Sequence, residues 1–329
     1  MTQVLITTVP FGEKNRRPFE LMEAAGVGYL VNPYNKKLTE AQLLELVGDV
    51  EVIIAGTELI TDKLMAHAPK LKHISRVGVG LDGVDLVAAR RRGIKVSYTP
   101  DAPAPAVAEL TIGLMLSLLR AVQTSNTQMH QGKWQRIFGR RLGEVTLGII
   151  GVGRIGTGVL RRLKGFGVPR ILVNDLKPNM VLNQEFDLHW VSKEQIYHEA
   201  DVISLHVPLT NLTKNMITRP QLLSMKSDAT IINTSRGGIV NEQDLHDVMT
   251  SGNLGGAAID VFEQEPYAGE LAQLDRCLLT AHMGSMSVDC RTRMEIEATE
   301  EAVRFLTGKP LACEVPDSEY TMQQEGRVA

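Results

Sequence analysis

Cysteine, net charge and long apolar runs are all scarce in this 329-residue chain, and each scarcity removes a class of function. Its three cysteines, Cys277, Cys290 and Cys313, make no CxxC pair and no even framework. Neither a disulfide scaffold nor a thiolate metal site is expected, and a reduced, cytoplasmic, metal-free protein fits that usage. A formal charge of −3 and a pI near 6.3 give no reason to expect nucleic acid or an anionic membrane as a partner. The basic runs at 90–92 and 140–141 are too short to form a binding stripe. The longest apolar stretch, 110–119, falls far below the roughly 20 residues that span a bilayer. No basic region and apolar core precede a cleavage site; residues 4–6 already read as a strand.

What is abundant is alternation. Strands are expected at 3–8, 27–31, 50–55, 73–77 and 95–98, with amphipathic helices at 18–25, 40–47, 63–68 and 84–92 between them. That order argues for a parallel sheet covered by helices on both faces. The run PDAPAP at 100–105 then breaks the pattern as a linker would. From Ala106 a strongly apolar helix is expected to run to about Gln131, buried between domains or against another subunit. A second set of strands follows at 146–150, 171–175, 188–190, 202–206, 230–233, 257–261 and 278–281. A last helix is expected over 285–307, then a polar, frayed tail from Ser318 to Ala329. The fold class is therefore α/β, with two doubly wound parallel-sheet domains. The expected divisions are 1–100, 101–285 and 286–329.

The second set opens on LGIIGVGRIG at 147–156. Gly151 permits a tight turn, Gly153 lets backbone N–H groups approach a pyrophosphate, and Gly156 lets the following helix pack on the strand. The helix start then offers unpaired N–H donors to the phosphates. Asp175, 19 residues past Gly156, stands where a carboxylate accepts from the adenosine ribose and repels a 2′-phosphate, so NAD is favoured over NADP.

Of eight histidines, only His206 and His282 end apolar strands, the ends at which such sheets bind ligands. Arg236, in IINTSRGGIV, and Glu265, in AIDVFEQEP, follow other strand ends of the same set. A hydride donor needs a proton partner for the carbonyl oxygen, and histidine suits neutral pH. A carboxylate beside it orients the ring, while arginine grips a substrate carboxylate in two places and polarises the adjacent carbonyl. The spacing of Arg236 and Glu265 reads equally well as an ordinary ion pair. In the first set, Arg76-Val77-Gly78-Val79-Gly80 is either an anion-binding nest or a plain glycine-rich turn.

Taken together, RVGVGLDGVD, AVAELTIGLMLSLLR, GKW, LGIIGVGRIG, HVPLTNLT, NTSRGGIVNEQDL, AIDVFEQEP and AHMGS resemble the NAD-dependent D-isomer-specific 2-hydroxyacid dehydrogenases over about residues 3–312. The nearest branch is 3-phosphoglycerate dehydrogenase without its C-terminal regulatory domains. The resemblance implies a Rossmann NAD-binding domain inserted into a flavodoxin-like substrate domain built from both chain ends. It makes His282 the acid–base group, Glu265 its partner and Arg236 the substrate-binding, carbonyl-polarising group. Val77 and Gly78 would offer N–H groups to the substrate carboxylate. Arg154 and Ile155 would hold the pyrophosphate and Asp260 the nicotinamide carboxamide, with Val207, Pro208, Thr213, Thr234, Ser235 and Gly284 also in the cofactor cleft. The helix after Ala106 resembles the arm through which family dimers embrace. Phosphoglycerate enzymes often carry Arg-Ser where this chain has Ala55-Gly56, which leaves Arg76 and Arg136 as the phosphate's cations. Phosphoglycerate leads narrowly as the expected substrate. A hydroxypyruvate or glyoxylate reductase and an NAD-sensing corepressor-like interaction protein are the alternatives.

Overall fold

The computed structural model describes residues 2–325, in two compact units. Unit 1 comprises the chain up to Pro103 together with the part from Met286 onward; unit 2 is Ala104–Ser285. The first crossing falls inside the proline-rich run.

Unit 1 begins with β1 (Val4–Ile6), α1 (Arg17–Ala24), β2 (Tyr29–Val31), α2 (Glu40–Leu46), β3 (Val52–Ala55), α3 (Asp62–His67), β4 (His73–Arg76), α4 (Leu86–Arg91) and β5 (Lys95–Tyr98). The strands form one parallel sheet in the order β2-β1-β3-β4-β5. Helices cover both faces, so β3 is apolar throughout (VIIA) and wholly buried rather than alternating. Side chains at the helix starts fix where the helices begin: the hydroxyls of Thr39 and Thr61 and the carboxylate of Asp85 each accept a first-turn N–H.

Unit 2 holds α5 (Ala104–Leu119), α6 (Val122–His130), β6 (Thr146–Ile150), α7 (Arg154–Leu163), β7 (Arg170–Asn174), β8 (Leu188–Trp190), α8 (Lys193–Glu199), β9 (Val202–Leu205), α9 (Arg219–Ser224), β10 (Thr230–Asn233), α10 (Glu242–Thr250), β11 (Gly256–Ile259) and β12 (Cys277–Leu279). Seven parallel strands run in the order β12-β11-β10-β9-β6-β7-β8, with an apolar core on each face. The chain then returns to unit 1 through α11 (Val288–Leu306), started by the Ser287 hydroxyl and packed on α1, β3 and β4, and α12 (Asp317–Glu325).

Two expectations fail. The long helix from Ala106 is not continuous: α5 starts at Ala104 and stops at Leu119, Ala121 has φ +48°, and α6 leaves at 64° to it. The Leu119 carbonyl, which would have continued the ladder, instead accepts the N–H of Arg140 at 2.9 Å. α5 is buried within unit 2, whereas α6 buries no residue. Among the described residues no single helix is long and apolar enough to cross a membrane. The tail is not frayed over 317–325, because α12 inserts Tyr320 (5% exposed) and docks on α4. Gln323 accepts the Leu86 N–H at 2.7 Å and donates to the Val84 carbonyl at 2.8 Å. The remainder of the expected tail, 326–329, lies outside the described residues.

Candidate active site

In unit 2 the glycine turn after β6 is built as its residues require. Gly151 has φ +95°, and a Cβ there would stand 2.5 Å from the His206 carbonyl oxygen. At Gly156 a Cβ would collide with the Gly151 carbonyl, so glycine is what allows α7 to press against β6. Gly153, the N-cap of α7, faces open space and provides no side-chain cap. Exposed Arg154 and half-buried Ile155 form the first turn behind it. A ten-residue helix with an open, uncapped N-terminus is a place for the phosphates of a dinucleotide.

Asp175 lies one residue beyond β7 rather than within it. Its Oδ2 accepts the Val152 N–H at 2.8 Å and its Oδ1 the Lys177 N–H at 2.9 Å. The carboxylate therefore ties the glycine turn to β7, and since each oxygen has two acceptor sites it retains capacity for ribose hydroxyls. In the loop past β9 Val207 is half-buried and Pro208 exposed. Thr213, buried, donates to the Pro208 carbonyl at 2.6 Å and accepts the Thr210 N–H at 2.8 Å, which closes the 207–213 loop. The Thr234 hydroxyl meets that of Thr111 at 2.8 Å, and Ser235 bonds Asn233 through Oγ (2.7 Å) and N–H (3.1 Å). Both are buried parts of the turn after β10.

The two strand-end histidines separate sharply. His206 turns inward, with Nε2 2.9 Å from Ser204 Oγ and a buried Nδ1 that has no partner; burial pushes its pKa down to about 4. His282 is half-exposed, and its Nδ1 lies 3.0 and 3.1 Å from the two Glu265 oxygens. With Nδ1 committed to the carboxylate, Nε2 is the nitrogen left to exchange a proton. His282 also has φ +52°, a conformation that non-glycine residues avoid. Buried Asp260 enforces it. Its backbone carbonyl accepts the His282 N–H at 2.8 Å, and its carboxyl group accepts from Thr280 Oγ1 (2.6 Å), Met283 N (2.7 Å) and Gly284 N (2.9 Å). Desolvation raises the pKa of Asp260. Sequence reasoning gave Asp260 only a cofactor role and missed this one.

Arg236 is half-buried on the adjoining turn, where Nη1 donates to the Ser235 carbonyl at 2.6 Å and the Arg236 carbonyl accepts from Asn233 Nδ2 at 2.8 Å. Gly237 lies directly against the Phe262–Glu263 backbone, so the Arg236 turn and the Glu265 loop pack together. Glu242 adds a second tie by accepting the Glu263 N–H at 2.8 Å. An arginine, a carboxylate–imidazole pair and a nucleotide-binding turn thus share the carboxyl edge of one parallel sheet. Among the described residues no group of three metal-ligating side chains is present.

Unit 1 departs from expectation at the glycine loop. The Val77 N–H donates to the Ala55 carbonyl (2.9 Å) and the Gly78 N–H to Thr99 Oγ1 (2.8 Å), so both groups assigned to a substrate carboxylate already have partners. Arg76 is 8% exposed and its Nη1 donates to the carbonyls of Val77 and Ala55. Arg136 lies in an exposed segment of unit 2, 131–139. Sequence reasoning passed over Glu58, a buried carboxylate three residues past β3. An acid so close behind a wholly apolar strand was the signal available.

Residues 112–284 match the model of the D-isomer specific 2-hydroxyacid dehydrogenase NAD-binding domain. The chain belongs to this family. It is an NAD-dependent enzyme acting on the CH–OH group of its donor. It is 36% identical over 279 residues to hydroxypyruvate reductase of Thermotoga maritima, covering 83% of this chain and 90% of that one. With D-3-phosphoglycerate dehydrogenase of Methanocaldococcus jannaschii it shares 37% identity over 278 residues, 83% of this chain but 53% of the relative. Among solved structures, D-lactate dehydrogenase of Aquifex aeolicus, complexed with NAD and lactic acid, superimposes with a TM-score of 0.83 at 26% identity, over 95% of this chain and 99% of that one.

Proposed function

We propose that this dehydrogenase interconverts a short, unphosphorylated D-2-hydroxy acid and its 2-oxo acid, with His282 as the acid–base group, Glu265 as its partner and Arg236 as the carboxylate-gripping, carbonyl-polarising group. The observation that carries the reading is the Nδ1 contact of His282 to both Glu265 oxygens, on a loop held in a strained conformation by Asp260. NAD, when bound, supplies or accepts the hydride at C2. In reduction His282 Nε2 gives a proton to the carbonyl oxygen; in oxidation it takes the hydroxyl proton. Glu265 fixes the ring's tautomer throughout. The glycine turn, Arg154 and Ile155 would receive the pyrophosphate, and Asp175 the ribose.

The unphosphorylated substrate is preferred over phosphoglycerate because the guanidinium of Arg76 is directed at backbone carbonyls and Arg136 stands exposed in unit 2. The names of relatives point both ways, to hydroxypyruvate and glyoxylate reductases and to D-3-phosphoglycerate dehydrogenase. Three free cysteines, two of them buried, suit the reducing cytoplasm. NADH oxidation measured over glyoxylate, hydroxypyruvate, pyruvate and phosphohydroxypyruvate tests the assignment. Faster turnover of an unphosphorylated acid is expected; preference for phosphohydroxypyruvate would restore phosphoglycerate, and no turnover at all would favour an NAD-sensing interaction protein.

A further inference from the structure

The carboxylate–imidazole pair of unit 2 depends on a short stretch of backbone just past β11. Glu265 meets His282 Nδ1 with both oxygens, and its Oε1 also accepts the Phe262 N–H at 3.2 Å. Where Phe262 sits therefore bears on where that oxygen sits. The next peptide, between Phe262 and Glu263, is held twice. A Cβ on Gly237 would collide with its carbonyl, so the turn that carries Arg236 lies directly against it. Glu242 Oε1 accepts its N–H at 2.8 Å. A peptide unit is planar and turns as one piece, so an acceptor on its N–H fixes the direction of the whole unit.

Glu242 speaks for a firm base. It is the first residue of α10, whose start is set by Asn241. The Asn241 side chain accepts the Asp244 N–H at 2.9 Å, and its own N–H donates to the Ile217 carbonyl at 2.9 Å. Leu245, Val248 and Met249 sink the helix into one core of unit 2. Burial pushes the Glu242 carboxyl up from its ordinary value; the Glu263 N–H pulls it down, and the charges of Glu263 and Glu265 push it up again, with the rise prevailing. The negative charge is thus a cost of the arrangement, and the acceptor oxygen is its use. We infer that Glu242 is a positioning residue of the reaction: by accepting the Glu263 N–H it ties the loop to α10 and keeps both Glu265 oxygens on His282 Nδ1. This rests on the reading of His282 and Glu265 as the acid–base pair proposed above. Glu242 acts through the loop and not on the reacting atoms. A loop that drifts leaves the imidazole turned, and a small misplacement of a proton-transfer group is read in rate before it is read in cofactor binding.

The test compares three variants of the full chain in the NADH-dependent reduction of hydroxypyruvate and glyoxylate. Glu242→Gln removes the charge and keeps an acceptor of the same reach. Glu242→Asp keeps the charge and suits a helix start, but falls a methylene short of the amide. Glu242→Ala lacks both. In the Asp and Ala variants kcat should fall by at least about tenfold, while NADH affinity, from fluorescence titration, stays within about twofold of wild type. The Gln variant should restore kcat to within about threefold of wild type. A purely structural role would lower the melting temperature and leave the kcat of the folded protein intact. Wild-type kcat in Glu242→Asp overturns the inference, and so does a Gln variant as slow as the Asp one. If the Ala variant does not fold, the Asp and Gln variants decide between them. Those results bear on Glu242 alone. Undiminished turnover in His282→Asn would instead overturn the acid–base reading, and no wild-type turnover of either acid the oxidoreductase reading, each taking this inference with it.

Discussion

His282 and His206 follow apolar strands of the same sheet, β12 and β9, in similar sequence contexts, yet they occupy opposite chemical situations. His282→Asn should lower kcat by about 10²- to 10⁴-fold while NADH affinity, followed by fluorescence titration, stays near wild type. More than about a tenth of wild-type kcat would remove His282 from the acid–base role. His206 is instead a pH-dependent stabiliser. Its folded pKa of about 4 lies below the unfolded value near 6.5, so the unfolded chain binds more protons between those values. The stability it contributes is complete above pH 6.5 and is lost as pH falls towards 4. His73, buried in unit 1 with a pKa near 3, acts with the same sign. Urea unfolding should therefore show a loss on the order of 1–2 kcal/mol from His206 between pH 7 and pH 5, and His206→Asn should flatten that slope. At this scale the strand-end rule reached as far as putting Arg236, Glu265 and His282 after strands of one sheet. It could not tell an inward from an outward histidine, because Ser204, only two residues away, decides the difference through a side-chain bond. Nor could it see that Val77 and Gly78 spend their N–H groups on Ala55 and Thr99, since both partners are remote in sequence.

Among the elements, the turn from β6 into α7 offers a contrast between two glycines three residues apart. Gly156→Ala should destabilise by about 1–3 kcal/mol, because its methyl meets the Gly151 carbonyl and neither backbone can retreat. Gly153→Ala, with ordinary φ and open space, should change stability by less than about 1 kcal/mol yet weaken NADH binding. Thermal melts beside fluorescence titrations would separate the two effects; equal loss of stability in both variants would contradict the packing argument. The strands were legible in both units as short, mostly apolar runs, whereas α8, α9, α10 and α12 were not read from the sequence. Ends were less legible than the strands themselves. α5 breaks where Arg140, twenty-one residues downstream of Leu119, captures its carbonyl, and α12 forms because Tyr320 and Gln323 find α4 across more than two hundred residues of chain. Tyr320→Ala should accordingly cost about 2–4 kcal/mol in urea unfolding, a value foreign to a frayed tail.

For the molecule as a whole, the segment after α5 is the conspicuous surface. Trp134 is 82% exposed, Phe138 is fully exposed, and Val122 and Met129 are about half exposed. Apolar exposure of this extent is what a second copy would cover. Sedimentation should give a particle of about twice the 36.2 kDa chain mass, and Trp134→Ser with Phe138→Ser should shift it towards one chain. A wild-type monomer at micromolar concentration would dismiss the dimer. The division of the chain has another result, which concerns the order of events at the ribosome. Residues 104–285 are complete as a unit before α11 has been translated, whereas the first 103 residues wait for it with the sides of β3 and β4 that α11 will cover still bare. The nascent chain must therefore carry an unfinished sheet through the synthesis of an entire second unit. During that interval the fully apolar strand β3 is a sticky segment, and it is the stretch of this protein with most to gain from a chaperone.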